Sequence, residues 1–583
     1  MKNFLLFCLF TLYTCISFAQ QQPATLNDVI KKYGEPGTTS PHVSTRDSRP
    51  NILFIMLDDA RYDSFGPEDP IPFFPTPNID RIANEGINFK TTVDVLSLCT
   101  PARGTFFTGL YPHKNGATSN PENIKNNLPW ISSILKSSGY YTGLSGKLGF
   151  DEDSVRGFDK YLISTQESYI DSRYNYNGHP NIHIAGHTTD VLTNYAEDII
   201  ATRPVDQPFF LYLAHRAPHV PYIPRPEDAN LFTNDTMPFP PNDTPYVKNY
   251  PSYLYPFNQA GDSIAQDTEY RGYFRMLAGV EYNTGVLLNY LDSLGLLDNT
   301  VIFFTSDNGN IKSEHLLQGK QLLYEESIKI PLFIRYPAWF APGTVITNQI
   351  AANIDFAPTL MDLAGVTNTY GMDGVSLRKL ASQEVIRHNI MCEVFQENET
   401  PSMREARTMD YTLIKSFCDQ ETEEFFDLVN DPRENINLIN DPAYQSIIKY
   451  YRCKLDSMRV ALKDFGIDTI ISCKLKFEDT SHVGFSDNPG PIPACVVPVF
   501  DAGDPYNQGG GSTTGIDNIP VEESGIWNVT VFNLLGQPVF NDKRFYKFPL
   551  SDQLIYVGNT PPGIYVISFE NQGQHLVRKI FLQ

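Results

Sequence analysis

Two short pairs of oxygen-bearing side chains follow apolar runs and are candidate cation ligands. Asp58 and Asp59 end the run NILFIML, and Asp307 and Asn308 follow the run TVIFFTS. Ligand sets made only of oxygen atoms suit Ca²⁺ or Mg²⁺ better than zinc. Either pair taken alone fits a helix cap better than a metal site. Two such pairs on separate strands of one sheet favour a metal.

Four basic side chains form a second candidate set. They are Arg103, Lys147 in SGKLGF, His219 in APHVP and Lys320 in QGKQLLYEES. Lysines at strand ends are usually solvated surface residues. A tetrahedral oxyanion nevertheless requires such donors, with arginine acting as a fork and lysine as a point charge. The two sets together are consistent with a cation and an oxyanion that share one site.

Several short apolar runs end abruptly in the residues just described. The clearest runs are NILFIMLDDAR, YYTGLSGK, PFFLYLAHRAPH and TVIFFTSDNG. Near-continuous apolar runs are typical of parallel strands covered on both faces. Helical patterns separate them, for example from Thr76 and from Tyr270. This alternation predicts an α/β domain with a doubly wound, mostly parallel sheet, in which the site lies beyond the carboxyl ends of the strands.

The length of the chain and the changes in its sequence pattern predict several domains, because 583 residues exceed what one hydrophobic core usually organises. The first residues have an apolar core from Phe4 to Ile16 and small residues at Ser17 and Ala19, which indicates a secretory signal peptide. Strand-like alternation near the C-terminus suggests a small β-sandwich. We predict a signal peptide (1–19), a catalytic α/β domain (49–385), a smaller α+β subdomain (386–470), a linker (471–518) that is rich in Gly and Ser from Asp501 to Asn518, and a terminal β-sandwich (519–583).

Composition narrows the classes of function. The 41% hydrophobic and 13% aromatic content is typical of a packed globular protein. A formal charge of -22 argues against general nucleic-acid binding. It does not argue against a small anionic substrate, because a metal and a few lysines dominate the field locally. After the signal peptide, we find no run long and apolar enough to predict a membrane span.

Six cysteines remain once the signal peptide is removed: Cys99, Cys392, Cys418, Cys453, Cys473 and Cys495. In an oxidising compartment these residues can pair. If Cys99 has another role, five remain, so at least one of them stays free.

The segment around Cys99 resembles the signature of the type I sulfatases of the alkaline phosphatase superfamily. Cys99, Pro101 and Arg103 stand in the signature spacing, followed by Thr108 and Gly109. Position 102 is alanine here and is often serine in that family. Further segments follow in the family's order: NILFIMLDD, GYYTGLSGK, RGFDKY, HTTDVLTNYAEDII, PFFLYLAHRAPHVP, GLLDNTVIFFTSDNG, LYEESIKIPLFIRYP and FFDLVNDPRENINL.

The resemblance implies a role for each candidate residue. One Ca²⁺ would be held by Asp58, Asp59, Asp307, Asn308 and the modified Cys99. Cys99 would be oxidised to formylglycine (3-oxoalanine) by a formylglycine-generating or sulfatase-maturing enzyme. Arg103 would steady the formylglycine hydrate, Lys147 and Lys320 would hold the sulfate oxygens, and His219 would protonate or stabilise the departing alcohol oxygen. One hydroxyl of the hydrate attacks sulfur, and the other then loses its proton and expels sulfate.

One position departs from the family pattern. The family usually has a histidine two residues after the lysine, as GK-x-H, whereas this chain has Gly149 after Lys147 and Leu148. His315 and His215 are candidate replacements. His183 and His187 lie in NIHIAGHTTD, which we interpret mainly as a structural loop.

A loop rich in proline and aromatic residues, 221–257, follows His219 directly. It is a candidate sugar-binding wall, although its tyrosines could equally pack the loop against the domain. The segment Ser172–Tyr174 is a weaker candidate of the same kind.

The tail from about Ile519 resembles the sorting domain of type IX secretion, with VFNLLGQPVF, PPGIYVISF and LVRKIFLQ in the expected order. The resemblance implies the type IX machinery as a partner, export through the periplasm of a Gram-negative bacterium and removal of the tail. The protein would be secreted or displayed at the cell surface. The alternative is an accessory carbohydrate-binding domain.

Together these features predict a sulfuric ester hydrolase that acts on a sulfated carbohydrate, such as an algal-type polysaccharide or its oligosaccharides. A phosphodiesterase or phosphonate hydrolase of the same superfamily is the first alternative, because its metal ligands overlap. A non-catalytic glycan-binding protein is the second.

Overall fold

The computed structural model of the chain describes most of the predicted catalytic region and parts of the tail. The predicted signal peptide and linker lie outside the described residues. The described residues are 23–34, 47–68, 70–151, 155–165, 168–238, 251, 254, 263–397, 400–417, 422–464, 525–533, 538–546, 563–571 and 574–582.

Helices and strands alternate through the first part of the chain, as predicted. The strands are β1 (Asn51–Asp58), β2 (Ile87–Phe89), β3 (Thr92–Val93), β4 (Tyr141–Gly146), β5 (Lys160–Ser164), β6 (Arg173–Tyr176), β7 (His179–His183), β8 (Phe209–Pro218), β9 (Thr300–Ser306), β10 (Ile311–Lys312), β11 (Gln318–Gly319), β12 (Leu332–Arg335), β13 (Thr344–Ile346) and β14 (Ala351–Ala352). The helices are α1 (Leu26–Tyr33), α2 (Pro77–Asn84), α3 (Cys99–Thr108), α4 (Pro112–Asn115), α5 (Ile131–Ser137), α6 (Thr188–Thr202), α7 (Ser263–Ser293), α8 (Glu325–Ile328), α9 (Phe356–Leu363) and α10 (Leu377–Ala381).

A ten-stranded sheet organises the domain, in the order β13-β2-β12-β9-β1-β8-β4-β5-β6-β7. Its five central strands, β9, β1, β8, β4 and β5, pair in parallel. Strands β12, β6 and β7 join by antiparallel pairs. The parallel centre confirms the prediction of a mostly parallel sheet, and the carboxyl ends of these strands share one edge.

Alternate residues of β1 enter separate cores on the two faces of the sheet. Leu53 and Ile55 belong to one apolar cluster, which includes residues of α2, α6 and α7. Phe54 and Met56 belong to a second cluster, with residues of α3, α5 and α9. Helices therefore cover both faces, which is why the strands are apolar at consecutive positions.

Helix α3 is buried along its whole length. Pro101 lies in its first turn, where a missing backbone N–H costs nothing. The helix ends at Gly109, whose φ of 65° is the left-handed conformation that glycine adopts without strain. The helix therefore fixes both Cys99 and Arg103 against the sheet.

The second region is a four-stranded antiparallel sheet with a helix packed on it. Its elements are β15 (Asn389–Val394), β16 (Ser402–Thr408), β17 (Tyr411–Phe417), β18 (Thr422–Asp427) and α11 (Gln445–Leu462). Its apolar core also contains Tyr324 and Ile328 of the first region, so the two pack as continuous layers. The α+β prediction is confirmed. The predicted boundary at 385/386 falls between α10 and β15.

The described part of the tail is a single antiparallel sheet in the order β20-β19-β21-β22. Its strands are β19 (Gly525–Asn533), β20 (Pro538–Tyr546), β21 (Gly563–Asn571) and β22 (Gln574–Leu582). The second sheet that a sandwich requires is not among the described residues. None of the helices in the described part of the chain is long and apolar enough to cross a membrane.

The described cysteines differ in whether they form a disulfide bond. Cys99 and Cys392 are buried free thiols, and Cys453 is disulfide-bonded. Cys392 is thus a cysteine besides Cys99 that stays free.

A buried ion pair ties the end of α11 to the second sheet, and its removal should destabilise the protein. Arg404 donates from Nε and Nη2 to Asp464 at 2.7 and 2.9 Å, and both side chains are fully buried. We expect Asp464→Ala to lower the free energy of unfolding by about 3–5 kcal/mol, because it removes both close carboxylate hydrogen bonds from a buried guanidinium. Urea unfolding followed by circular dichroism measures this loss. Arg452→Ala, which breaks an exposed pair with Glu423, should cost no more than about 1 kcal/mol, and equal losses in both variants would contradict the prediction.

Candidate active site

Two neighbouring parallel strands bring the predicted carboxylates to one edge of the sheet. Leu57 of β1 is in register with Ser306 of β9. The next residue after β9, Asp307, donates its backbone N–H to Leu57 O at 3.0 Å. Asp58 and Asp307 therefore emerge side by side, and both are buried. Burial and the Asp58 carboxylate raise the pKa of Asp307.

The second residue of each pair contacts the other pair. Asp59 has a φ of 69°, and its backbone N–H lies 3.2 Å from Asp307 Oδ1. Asn308 donates from Nδ2 to Asp59 Oδ1 at 2.7 Å. Asn310 donates from Nδ2 to the other oxygen of Asp59 at 3.2 Å. The four predicted oxygen-bearing residues are thus in mutual contact.

Cys99 is the first residue of α3 and lies among these groups. Its Sγ lies 3.4 Å from Asp58 Oδ1 and 2.9 Å from Lys320 Nζ. Burial and the Asp58 carboxylate raise the pKa of the thiol to about 12. The unmodified thiol therefore stays protonated at neutral pH and is a poor nucleophile.

Arg103 lies one helical turn after Cys99 and is fully buried. Its Nε and Nη2 donate to Asp307 Oδ2 at 3.0 and 2.8 Å. Its Nη1 donates to Lys147 O at 2.6 Å and lies 3.4 Å from the Tyr212 hydroxyl. One guanidinium thus links α3 to the ends of β9 and β4.

Two lysines approach the carboxylates from different elements. Lys147 follows β4, and its Nζ donates to Asp58 Oδ2 at 2.6 Å. Lys320 follows β11, and its Nζ contacts Asp59 Oδ1. Burial opposes the charged form of both lysines, but the carboxylates raise the pKa of each above its ordinary value. Both are therefore ammonium ions held close to Cys99.

Gly146 makes the position of Lys147 attainable. It has a φ of 126°, and a Cβ there would lie 1.9 Å from Ala214 O of the neighbouring strand. Only glycine permits β4 to approach β8 this closely before the chain turns into Lys147.

His219 follows β8 and completes the cluster. Its Nδ1 lies 2.6 Å from Val220 O, so this nitrogen carries the hydrogen. Its Nε2 points into the site, 3.9 Å from Asp59 Oδ2. One ligating atom from each of Asp58, Asp59, Cys99 and His219 lies within 4.8 Å of the others.

Neither histidine considered as a replacement for the missing one lies beside Cys99. His315 stacks on Tyr324 with ring centroids 4.7 Å apart, and its Nε2 lies 3.9 Å from Glu326. His215 is buried inside β8, where burial lowers its pKa to about 4. The position itself is occupied by Gly149, where a Cβ would lie 2.7 Å from Arg103 Cδ. Sterically, no histidine fits there unless Arg103 moves.

The weaker candidates have structural surroundings. His187 caps α6, accepting from Thr189 N, and its Nε2 lies 2.9 Å from Ile223 O. His183 ends β7. Of the predicted sugar-binding wall, only residues 221–238, 251 and 254 are described. Ser172 is buried, whereas Arg173 donates to Asn181 O.

Two contacts in the site were not anticipated from the sequence. Asn310 donates a hydrogen bond to an oxygen of Asp59. Its position two residues after Asn308 is a sequence signal that could have identified it as a site residue. Tyr212 reaches Arg103 from the middle of β8, where nothing in the sequence distinguishes it from a core aromatic residue.

The donor set fits a hard divalent cation. Asp58, Asp59 and Asp307 supply carboxylate oxygens, and the buried Asn308 Oδ1 has no hydrogen-bond partner among the described residues. Asp307 already accepts from Arg103 and two backbone N–H groups. Oxygen donors of this kind suit Ca²⁺ or Mg²⁺.

Three sequence families match successive parts of the chain. Residues 50–366 match the family described as Sulfatase. Residues 313–461 match the one described as N-sulphoglucosamine sulphohydrolase, C-terminal. Residues 513–583 match the one described as Secretion system C-terminal sorting domain, so the chain carries a signal for secretion or surface display.

Individual proteins agree with these matches. An N-acetylglucosamine-6-O-sulfatase of Bacteroides thetaiotaomicron is 28% identical over 526 residues, covering 77% of this chain and 93% of that protein. An ulvan-active sulfatase of Formosa agariphila is 25% identical, covering 72% and 82%. A solved structure of a protein in complex with its substrate D-glucosamine-2-N,6-O-disulfate has a TM-score of 0.67 at 27% identity, covering 72% and 99%.

A phosphonate monoester hydrolase of Agrobacterium radiobacter has a TM-score of 0.60 at 20% identity, covering 71% of this chain and 96% of that chain. This likeness extends to the fold alone. The sulfatase match, by contrast, spans more than half of the 583 residues. The predicted family is therefore confirmed: this chain belongs to the sulfatases, the hydrolases of sulfuric esters.

Proposed function

We propose that this protein is a calcium-dependent sulfatase that hydrolyses sulfate esters of a sulfated carbohydrate through a formylglycine made from Cys99. The observation that carries the proposal is the position of Cys99 Sγ, 3.4 Å from Asp58 and 2.9 Å from Lys320. A side chain at this position lies beside the carboxylates that would hold a cation and beside the lysines that would bind a sulfuryl group.

A thiol cannot carry out the proposed reaction, because it offers no second hydroxyl on the same carbon to expel the sulfate. One hydroxyl of an aldehyde hydrate at this position attacks sulfur and displaces the sugar oxygen, which gives a covalent sulfate hemiacetal. The second hydroxyl then loses its proton, and sulfate is expelled as the aldehyde re-forms. The rest of the chemistry rests on the surrounding side chains.

Lys147 and Lys320 bind the sulfate oxygens in this proposal. Both are ammonium ions in a buried site, where fixed charges act more strongly than in water. Their positive charge neutralises the charge that develops on the sulfuryl oxygens.

His219 donates a proton to the departing alcohol oxygen. The hydrogen bond between its Nδ1 and Val220 O orients the ring and leaves Nε2 as the atom that exchanges protons with substrate. Arg103 is a positioning residue, because its donors hold Asp307 and the backbone of Lys147 in place.

Asp58, Asp59, Asp307 and Asn308 would hold a calcium ion together with the modified residue at position 99. This ion would supply positive charge next to the nucleophilic hydroxyl and lower its proton affinity.

A sulfated carbohydrate is the substrate class that the relatives support. Two of them are named for N-acetylglucosamine 6-O-sulfate and for ulvan, and a third is solved with a disulfated glucosamine. The sorting sequence at 513–583 supports the same class, because export gives access to extracellular polysaccharides. We further propose a periplasmic route of export and domain boundaries as predicted above.

Conversion of Cys99 is the first expectation. Mass spectrometry of the peptide containing Cys99, from active enzyme, should detect an aldehyde in place of the thiol. Cys99→Ala should lose activity on a sulfated glucosamine or ulvan oligosaccharide by at least about 1,000-fold, because the nucleophile is absent. Cys392→Ala, at a buried thiol distant in sequence, is the control and should retain turnover. Fully active enzyme with an unmodified Cys99 would refute the proposed mechanism.

Calcium dependence is the second expectation. Exhaustive treatment with a calcium-selective chelator should lower kcat by at least about 100-fold, because charge stabilisation at the nucleophile is lost. Added Ca²⁺ should restore it, and calorimetry should detect one site. Asp307→Asn should weaken that calorimetric affinity at least about tenfold. Unchanged turnover in metal-free enzyme would contradict the calcium assignment.

The arrangement around Arg103 gives the third expectation. Arg103→Lys keeps the charge but cannot reproduce the fork to Asp307, so kcat should fall by about 10–100-fold. Tyr212→Phe removes only the 3.4 Å contact and should cost less than about tenfold. Steady-state kinetics on one sulfated oligosaccharide compares the two. A lysine variant with wild-type kcat would show that the fork is dispensable.

A further inference from the structure

A second cluster of ligating side chains lies apart from the Cys99 site. It consists of His315, Glu326 and Glu434, and one ligating atom from each lies within 4.8 Å of the others. Their side chains are at most 4% exposed. His315 and Glu326 belong to the first region, and Glu434 follows β18 in the second.

The carboxylate of Glu326 lacks the hydrogen bonds that a buried carboxylate requires. Neither of its oxygens has a hydrogen-bond partner among the described residues, although it is fully buried. Arg433 Nη1 lies 3.7 Å from Oε1, and His315 Nε2 lies 3.9 Å from Oε2. Both distances exceed hydrogen-bond length. A buried carboxylate that lacks hydrogen bonds is costly even beside an arginine at 3.7 Å, so both oxygens of Glu326 are available to a further ligand.

Glu434 is in a similar condition. Its Oε2 accepts from the backbone N–H of Glu325 at 2.8 Å. Its Oε1 is buried without a hydrogen-bond partner among the described residues. Burial and the nearby glutamates raise the pKa of Glu434 well above its ordinary value.

Two of the surrounding arginines, Arg61 and Arg407, are engaged by other acids. Arg61 forms a fork with Asp63 at 2.8 and 2.7 Å and also lies 2.8 Å from Glu314. Arg407 forms a fork with Glu325 at 2.6 and 3.0 Å. The cluster therefore contains more buried carboxylates than closely paired cations. Either protons or a cation must balance this charge.

His315 distinguishes between kinds of cation. A neutral imidazole is the form that binds metals. Its ring is held in place by stacking on Tyr324. One imidazole nitrogen with two carboxylates is a ligand set for zinc or another first-row divalent ion, whereas calcium prefers oxygen alone.

We propose that His315, Glu326 and Glu434 bind one divalent transition-metal ion of the zinc type, at a site separate from the one around Asp58. The ion would link the two regions next to the loop after β9, which carries Asp307 and Asn308. Gly309, next to Asn308, donates its N–H to Ser327 O at 2.9 Å. Glu326 therefore directly precedes the residue that holds the loop after β9. The proposal concerns stability and metal content and does not depend on formylglycine formation.

Zinc content of the full secreted chain tests the proposal. Protein produced with Zn²⁺ in the medium and passed through metal-free buffer should retain about one zinc per chain by elemental mass spectrometry. Glu326→Gln should reduce retained zinc at least about tenfold. Glu424→Gln is the matched control, because Glu424 is also buried and its carboxylate accepts from the Tyr324 hydroxyl at 2.9 Å, and it should keep the zinc.

A second variant assigns the ion to this site. Asp58→Asn should leave the zinc content unchanged. Zinc lost with Asp58→Asn but kept with Glu326→Gln would overturn the proposal in favour of the Cys99 site. X-ray absorption of the wild-type protein, which needs no variant to fold, should show nitrogen and oxygen ligands at about 2.0–2.2 Å.

Thermal unfolding separates a metal from protons. Zn²⁺ added to metal-stripped protein should raise Tm in the wild type and in Glu424→Gln but not in Glu326→Gln. If wild-type protein retains no transition metal, gains no stability from Zn²⁺ and is not destabilised by Glu326→Gln, protonated carboxyls balance the cluster and the proposal is wrong.

Discussion

Opposite charges buried against one another are the constraint on which this active site depends. Asp58 and Asp307 are enclosed at the edge of the sheet, and each would be costly to bury without a cation beside it. Arg103, Lys147 and Lys320 supply that charge from three separate elements. Because the charges compensate one another only at close range, the backbone that carries them must be rigid.

The fold supplies this rigidity from several directions. Parallel strands β1 and β9 end in register, so the carboxylates leave the sheet together. Helix α3, buried on all sides, holds Cys99 and Arg103 on one turn. The close approach at Gly146 brings Lys147 in from β4. Tyr324 and Ile328 of the first region pack in the apolar core of the second region. The site is thereby joined to a layer that contains none of the predicted site residues.

The sequence predicted the main elements and all nine candidate site residues that the structure brings together. Most of these residues follow apolar runs, and strand ends of a parallel sheet meet at one edge, so their positions in the sequence indicated that they would lie together. The roles of these residues remain proposals. The sequence could not exclude His215 or His315 as a replacement for the missing histidine, because both lie near site residues along the chain. Burial within β8 and stacking on Tyr324 separate them from Cys99.

By itself, the sequence determined the family, the order of strands and helices, and the residue types that could bind a cation and an oxyanion. These follow from local composition and spacing, which do not depend on distant contacts. Only the tertiary structure decided which groups share one buried environment. It set Cys99 between Asp58 and Lys320, placed Arg103 Cδ 2.7 Å from where a Cβ at Gly149 would lie, and brought His315 next to Glu326 and Glu434. Residues more than a hundred positions apart interact there, and only the packing of both regions brings them within reach.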